Sequence, residues 1–410
     1  MELENLAREM VTYCRGLPLA IVVLGGLLSS QRTMDHWDMV HRCIKSYFAE
    51  DVGVSQLFAL SFDDLPYEMK PCLLYLGLLP EDFVISTDRL INLWVAEGLI
   101  FSRRTEREGE EALEDIAYRY LTKFAERYMV QVEKIDSFGR IKKCKMHDLM
   151  REFCMSKAEE ENFFQVLQLF GQRKRLSITS SSPMVTGTVR RLSVHLNNFP
   201  GDMAVECEEY PPFSFKLLRV LDLEKVMGFS IPDAIGKLIH LRLLNLRSAW
   251  VGTLPPSIGN LRCLLTLRLD PLDSARTQPD VFWKLEKLRH LYLPREPGRK
   301  TTRLQFADLS DLRTLVNFPA SVADVEDLIK LTNLRKLKIV ISDEVSLQRL
   351  KGIFASPTIR FSYLRDFSIN TRYLPPSALE SQDVSNIVSR CPHLLRLKRN
   401  GTVIYRRHWE

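Results

Sequence analysis

LRVLDL at 218–223, LRLLNL at 241–246, LLTLRL at 264–269 and LRHLYL at 288–293 are one pattern, LxxLxL, written four times at spacings of 23, 23 and 24. Degenerate copies continue it at Leu312 (LRTLVN), Leu334 (LRKLKI), Leu364 (LRDFSI) and Leu394 (LLRLKR), with spacings of 24, 22, 30 and 30. Self-similarity at a near-constant period of this length marks a stacked repeat. Each copy predicts one short strand whose alternate residues point inward, so that Leu221 and Leu223 face a core while Val220, Asp222 and Glu224 face out. No unit can bury its leucines alone. Stacking gives each one neighbours on both sides and yields a curved solenoid, a horseshoe with a parallel sheet along its concave face.

Between the strands, IPDAIGKLIHL (231–241) and LPPSIGNLRCL (254–264) share an I/L-P-x-x-I-G-x-L pattern. These segments are expected to build the convex side, with Pro232 and Pro255 opening a turn or short helix and Gly236 and Gly259 relieving crowding. VRRLSVH, from Val189 to His195, reads as a first, atypical repeat that caps the stack. The two longer spacings predict longer outer-face excursions around SPTIRFSY and PPSALES, and nothing after Leu397 reads as a cap, so a frayed end is expected.

The outward strand positions are those to read for binding. Arg247, Arg268, His290, Tyr292, Lys336, Lys338, Arg396 and Lys398 form the expected recognition surface. A partly basic face with an aromatic and a histidine suits an acidic protein partner, because aromatic residues and arginine are favoured at interface centres. Taken singly, each is also readable as a solvated strand residue.

The chain has 410 residues, 45% hydrophobic and 26% charged, which is a composition able to bury a sizeable core in two or more units. Its net charge of +6 conceals an asymmetry. Residues 1–165 carry 20 basic against 28 acidic side chains, a balance of −8, and residues 166–410 carry 37 against 23, a balance of +14. Opposite halves of this kind suggest docking of one on the other, an acidic external partner, or nucleic acid. Eight cysteines (14, 43, 72, 144, 154, 207, 263 and 391) form no CxxC pair and no zinc spacing, so reduced buried thiols, no disulfide framework and no metal are expected. The longest apolar stretch, Leu17 to Leu28, is too short at about 1.5 Å per residue to cross a bilayer core of about 30 Å. The N-terminus, MELENLAREM, lacks the basic start and cleavage site of a secretory signal, and a cytoplasmic or nuclear location is expected.

The first half has amphipathic helical periodicity without a repeat. CRGLPLAIVVLGGLL (14–28) places a loop at Gly16 and Pro18 before an apolar segment, read as a buried core helix in which Gly25-Gly26 allows close packing or a helix end. Further along stand LFALSFDDLPYEMKPCLLYLGLLPEDFVI (57–85), INLWVAEGLI (91–100) and KMHDLMREF (145–153) with its Met146-His147-Asp148 tripeptide. Alone, the tripeptide means little. In this order, and followed by leucine repeats, the four blocks resemble the plant NB-ARC leucine-rich-repeat disease-resistance (NLR) proteins, most closely their coiled-coil class, over most of the chain.

The resemblance implies an α plus α/β-solenoid architecture: the helical and winged-helix part of an NB-ARC domain, then a leucine-rich-repeat horseshoe. Residues 1–50 correspond to a remnant of the helical subdomain with GLPLA, 51–165 to a winged-helix-like subdomain ending after the MHD motif, 166–188 to a linker and 189–410 to the solenoid. It further implies that His147 acts as a sensor on the phosphate of bound ADP and that Leu17, Pro18 and Leu19 pack beside the adenine. A histidine can donate such a hydrogen bond to phosphate. The residues alone say less: a helix-start histidine, followed by Asp148 as a cap or first-turn acid.

A nucleotide switch requires a GxxxxGK[ST] loop to cradle the phosphates. None occurs here, no acid-ended strand precedes GLPLA, and the stretch ahead of Gly16 is far too short for a parallel-sheet nucleotide domain. ATP hydrolysis and catalytic residues are therefore not expected, and ADP or ATP, cofactors in the family, would meet only a fraction of the pocket. The expected function is recognition of a pathogen effector or a guarded host protein by the repeats, with regulatory docking on the winged-helix unit, in defence and the hypersensitive response. Two other readings stand beside it. One is a freestanding truncated decoy or adaptor that pairs with other receptors. The other is a winged-helix nucleic-acid-binding protein, motivated by Arg173-Lys174-Arg175 and Lys142-Lys143-Cys144-Lys145, runs that otherwise read as flexible and solvated.

Overall fold

A computed structural model of the chain describes residues 2–30, 33–48, 55–101, 111–161, 163, 167–169, 194–196, 216–224, 231–247, 254–269, 280–295, 303–371, 374–375 and 378–405. The expectations for residues 189–193, Arg173-Lys174-Arg175, Cys207 and most of the 166–188 linker lie outside these residues. The chain divides into two compact units, Met1–Val166 and Leu167–Glu410.

The first unit opens with four helices, α1 (Glu2–Tyr13), α2 (Pro18–Ser30), α3 (Met34–Phe48) and α4 (Ser55–Asp63). Met10, Cys14, Ala20, Leu24, Leu27, Val40, Ile44 and Leu57 form one buried cluster among them. Proline suits the first position of α2, since no intrahelical acceptor waits for its missing N–H. The expected buried core helix is α2, and one side of it stays open. Leu19, Ala20, Val23, Leu24, Leu27 and Leu28 are buried, but Pro18, Ile21, Val22 and Gly25 lie exposed on one stripe with helical spacing. A helix packed on one side buries only that side, however apolar its other residues are.

There follow α5 (Lys70–Gly77), β1 (Ile85–Ser86), α6 (Thr87–Glu97), α7 (Leu113–Glu126), β2 (Gln131–Ile135), β3 (Ile141–Lys145) and α8 (Asp148–Glu160). The three strands pair antiparallel in the order β1-β3-β2. Ser86 caps α6 by accepting the Arg89 N–H at 3.4 Å, and Gly98 closes it at φ 74°. Two bonds pin the hairpin to the helices: Thr87 Oγ1 donates to the Ile141 carbonyl at 2.9 Å, and the Ile141 N–H donates to Tyr118 Oη at 3.0 Å. Helices carrying a small antiparallel sheet with a projecting β2–β3 hairpin make a winged helix. The rings of Phe58 and Phe62 on α4 meet Phe153 on α8 edge-on at 6.2 and 5.8 Å.

The second unit is the solenoid. Strands β6 (Val220–Asp222), β7 (Leu243–Asn245), β8 (Thr266–Arg268), β9 (His290–Tyr292), β10 (Thr314–Pro319), β11 (Lys336–Val340), β12 (Asp366–Asn370) and β13 (Arg396–Arg399) pair in parallel, in chain order. Leu221, Leu244, Leu267, Leu291, Leu315, Leu337, Phe367 and Leu397 stack one behind another with at most 2% exposure. On the convex side Asp233–Lys237 and Pro256–Asn260 are 3₁₀ turns that follow Pro232 and Pro255. A Cβ on Gly236 would fall 2.8 Å from Ser257 Cβ and its carbonyl oxygen, so neighbouring turns pack backbone to backbone only because that side chain is absent.

LRTLVN departs from the pattern at Asn317, where leucine would stand. Asn317 adopts φ 63°, the register slips between Val316 and Phe318, and Phe318 takes the buried position one residue later. The longer periods arise from helices, α9 (Glu344–Ala355) and α10 (Ser381–Arg390), rather than from SPTIRFSY and PPSALES themselves, which flank them.

Two further expectations are corrected. Val194–Leu196 is strand β5, paired in parallel with β4 (Leu167–Leu169) in a separate two-stranded sheet, so it is not the first strand of the large one, and β4 lies within the expected linker. The expected frayed end is a hairpin: β14 (Thr402–Tyr405) returns antiparallel on β13 through Asn400 and Gly401, at φ 47° and 94°. Asn-Gly is the dipeptide that such a two-residue turn favours, and its pairing covers the outer edge of the last repeat.

Candidate functional site

The strand register sets the recognition surface in two columns. One runs Val220, Leu243, Thr266, His290, Thr314, Lys336, Asp366, Arg396, and the other Asp222, Asn245, Arg268, Tyr292, Val316, Lys338, Ser368, Lys398. Residues a whole repeat apart in sequence thus become neighbours at about 4.8 Å. Arg247 lies just beyond the second column, exposed and 3.5 Å from Glu224.

The expected solvated face is realised at the two ends and not between them. Lys336, Lys338, Arg396 and Lys398 are half-exposed, with Arg396 paired to Asp366 at 3.2 Å. Arg268, His290 and Tyr292 are instead buried, at 9, 6 and 5% exposure, and so is Val220. Lateral packing contributes: Arg268 lies over the Tyr292 ring, and His290 Nδ1 shares a hydrogen bond with Thr314 Oγ1 at 3.1 Å. Residue-by-residue reading missed Asn245, Thr266 and Thr314. Asn245 Nδ2 donates to Asp222 Oδ1 at 2.8 Å, and its Oδ1 accepts the Arg247 N–H at 3.1 Å. Their place in the LxxLxL frame, the same as that of the residues singled out, is the signal that finds them.

In the winged-helix unit His147 is the residue before α8, with extended backbone, and its Nδ1 accepts the Leu149 N–H at 3.3 Å. Asp148 is the first residue of α8, and Met146 is buried. Leu19 is buried, Leu17 half-buried and Pro18 exposed, all at the start of α2. Among the described residues no hydrogen bond or ion pair joins His147 to these three. The lysine run at 142–145 is strand β3: Lys142 meets Asp136 at 3.5 Å, and Lys145 meets Asp82 at 3.0 Å and Glu133 at 3.7 Å. The hydrogen bond from Lys145 to Asp82 raises the Lys145 pKa above its ordinary value. The run is thus an ordered strand with Lys142 and Lys145 paired to acids, in place of the flexible, solvated segment expected.

Among the described residues no group of three or more His, Cys, Asp or Glu could hold a metal ion, and no helix is long and apolar enough to cross a membrane.

A winged helix in one unit and a leucine-rich solenoid in the other define the class. Comparison with known proteins gives the family. A disease-resistance protein winged-helix family matches residues 78–154, and a leucine-rich-repeat region matches 202–404. "Probable disease resistance RPP8-like protein 2" of Arabidopsis thaliana is 38% identical over 375 residues, 85% of this chain and 40% of that protein. "Putative disease resistance protein At1g59780", also of Arabidopsis thaliana, is 36% identical over 374 residues, covering 84% and 40%. The chain belongs to the plant disease-resistance protein family, and it spans about two fifths of the length of these relatives. Among solved structures, the repeat ectodomain of the Arabidopsis thaliana receptor kinase GASSHO1/SCHENGEN3 matches at 21% identity, 46% of this chain and 22% of that one, with a TM-score of 0.28, and carries no part of the assignment.

Proposed function

We propose that the chain is the regulatory and recognition portion of a plant immune receptor acting in the cytoplasm or nucleus, with the concave face of β10–β13 receiving an acidic protein partner, a pathogen effector or a guarded host protein. One observation carries this reading. The register gathers Lys336, Lys338, Arg396 and Lys398 on one half-exposed patch with Asp366 as the one acid in the two columns there. Complementary charge of this kind steers encounter and selects partners. The −8 balance of residues 1–165 against +14 in 166–410 supports regulatory docking of the first unit on the second, which a stronger ligand would displace.

The proposed role is binding rather than catalysis, since the sequence holds no phosphate-binding loop. In a receptor that also contains the nucleotide core, His147 and the Leu17–Leu19 turn would meet ADP or ATP. Reversing charge in the double variant Lys336→Glu, Lys338→Glu tests the reading. Loss of partner capture and of the defence response, with an unchanged circular-dichroism spectrum and melting temperature, is the expected result. Undiminished capture would remove the concave face from the recognition role.

A further inference from the structure

Arg268 stands on β8, the third of the eight parallel strands, between Asn245 of β7 and Tyr292 of β9. Its guanidinium carbon lies 4.2 Å from the Tyr292 ring centroid, and the side chain is 9% exposed. Nε and Nη1 are shut off from solvent and meet no hydrogen-bond acceptor among the described residues. A guanidinium cannot shed its proton in a protein, so the charge stays. A buried charge without an acceptor destabilises the fold that holds it, and the ring face offsets only part of that.

The acceptors beside it are occupied. Asn245 turns its amide nitrogen to Asp222 and its oxygen to the Arg247 N–H, while Asp222 Oδ1 also accepts the Glu224 N–H at 3.2 Å. His290 and Thr314 bond each other on the adjoining column. A permanently charged side chain, aligned by an aromatic ring and with two buried N–H groups left without an acceptor, is of the type that most often dominates binding energy when it meets a partner.

We propose that Arg268, held flat on Tyr292, is the anchor for a carboxylate of the protein partner, an Asp or Glu side chain in an acidic segment that continues toward the lysines of β11. A carboxylate is the side-chain acceptor that a guanidinium N–H bonds most strongly, because both partners are charged. Asp222 and Asp366, in the two columns of the same face, disfavour the denser charge of a phosphate or a nucleic-acid backbone. The proposal rests on the concave face being the partner surface.

The test uses the full 410-residue chain, its Arg268→Met and Arg268→Lys variants, and the Lys336→Glu, Lys338→Glu variant. Without ligand, Arg268→Met is expected to raise the melting temperature by about 2 °C or more. A fall of that size would reveal an acceptor inside the chain and overturn the proposal. By calorimetry at low salt, a polyglutamate peptide is expected to bind the unaltered chain, to bind Arg268→Met about tenfold more weakly or worse, and to bind Arg268→Lys at an intermediate level. Equal binding to Arg268→Met overturns the anchor. If the lysine reversal alone then abolishes binding, the concave-face reading survives without it. No binding of polyglutamate by the unaltered chain, or a response only to inositol hexakisphosphate or to an oligonucleotide, overturns the carboxylate assignment.

Discussion

His147 Nδ1 accepts the backbone N–H of Leu149 at 3.3 Å, so the histidine of the MHD tripeptide is the N-cap of α8. A neutral imidazole that accepts at Nδ1 carries its proton on Nε2. Capping and any contact with a nucleotide would therefore use different ring nitrogens. His147→Ala should destabilise the first unit by about 1 kcal/mol, and His147→Asn should restore most of it, since asparagine caps as well. Thermal unfolding of the three proteins checks this. An alanine variant as stable as the parent would show the capping bond to be energetically idle.

The stacked leucines make a second prediction. Leu244 is fully buried between Leu221 and Leu267. Leu244→Ala should cost about 2–5 kcal/mol, and Leu244→Asp should abolish cooperative unfolding of the repeats, because a carboxylate would enter the core unpaired. Gly236→Ala, whose Cβ would meet Ser257 at 2.8 Å, should cost about 1–3 kcal/mol. Denaturant titration orders the three, and a harmless Leu244→Asp would contradict the inward alternation.

Burial pushes the thiols of Cys144 and Cys391 up to about 12, and those of Cys72 and Cys154 higher. At pH 8 they stay protonated and shielded, whereas Cys43 and Cys263 are partly exposed. Alkylation of the native chain followed by mass spectrometry should label the latter two well ahead of the buried four. The raised folded values also give a sign. The stability these neutral thiols contribute is complete below the ordinary value of 9.0 and is lost as pH rises toward 12. Rapid labelling of Cys154 in the folded protein would contradict its burial.

The Asn400-Gly401 turn carries the fourth prediction. Gly401→Val places a β-branched residue at φ 94°, where only glycine is comfortable, and should release β14 from β13. Amide exchange in 396–405 should quicken while exchange in β6–β9 is unchanged. Unaltered protection at the hairpin would mean that the turn does not hold β14.

Much of this protein was legible in its sequence because the repeat is a local code. A short strand with leucine at alternate positions has one inward face wherever it stands, so period and alternation predict solenoid, core and convex prolines without knowledge of any neighbour. The Asn-Gly signal at 400–401 was equally local, but the expectation of a frayed end passed over it. Asn317 shows the limit of pattern matching, since a one-residue bulge moved the core position to Phe318.

The sequence by itself determined the repeat period, the inward leucines, the charge asymmetry and the order of motifs that marks the family. Only the tertiary structure decided which outward residues meet water, that lysines of β3 are paired with acids, that one face of α2 is open and that His147 is a cap. The reason is the same in each case. Solvation and pairing depend on side chains brought together from positions as far apart as Asp82 and Lys145. Arg268 reads like its exposed neighbours along the chain, and only the folded repeat brings Tyr292, from the next strand, beneath its guanidinium.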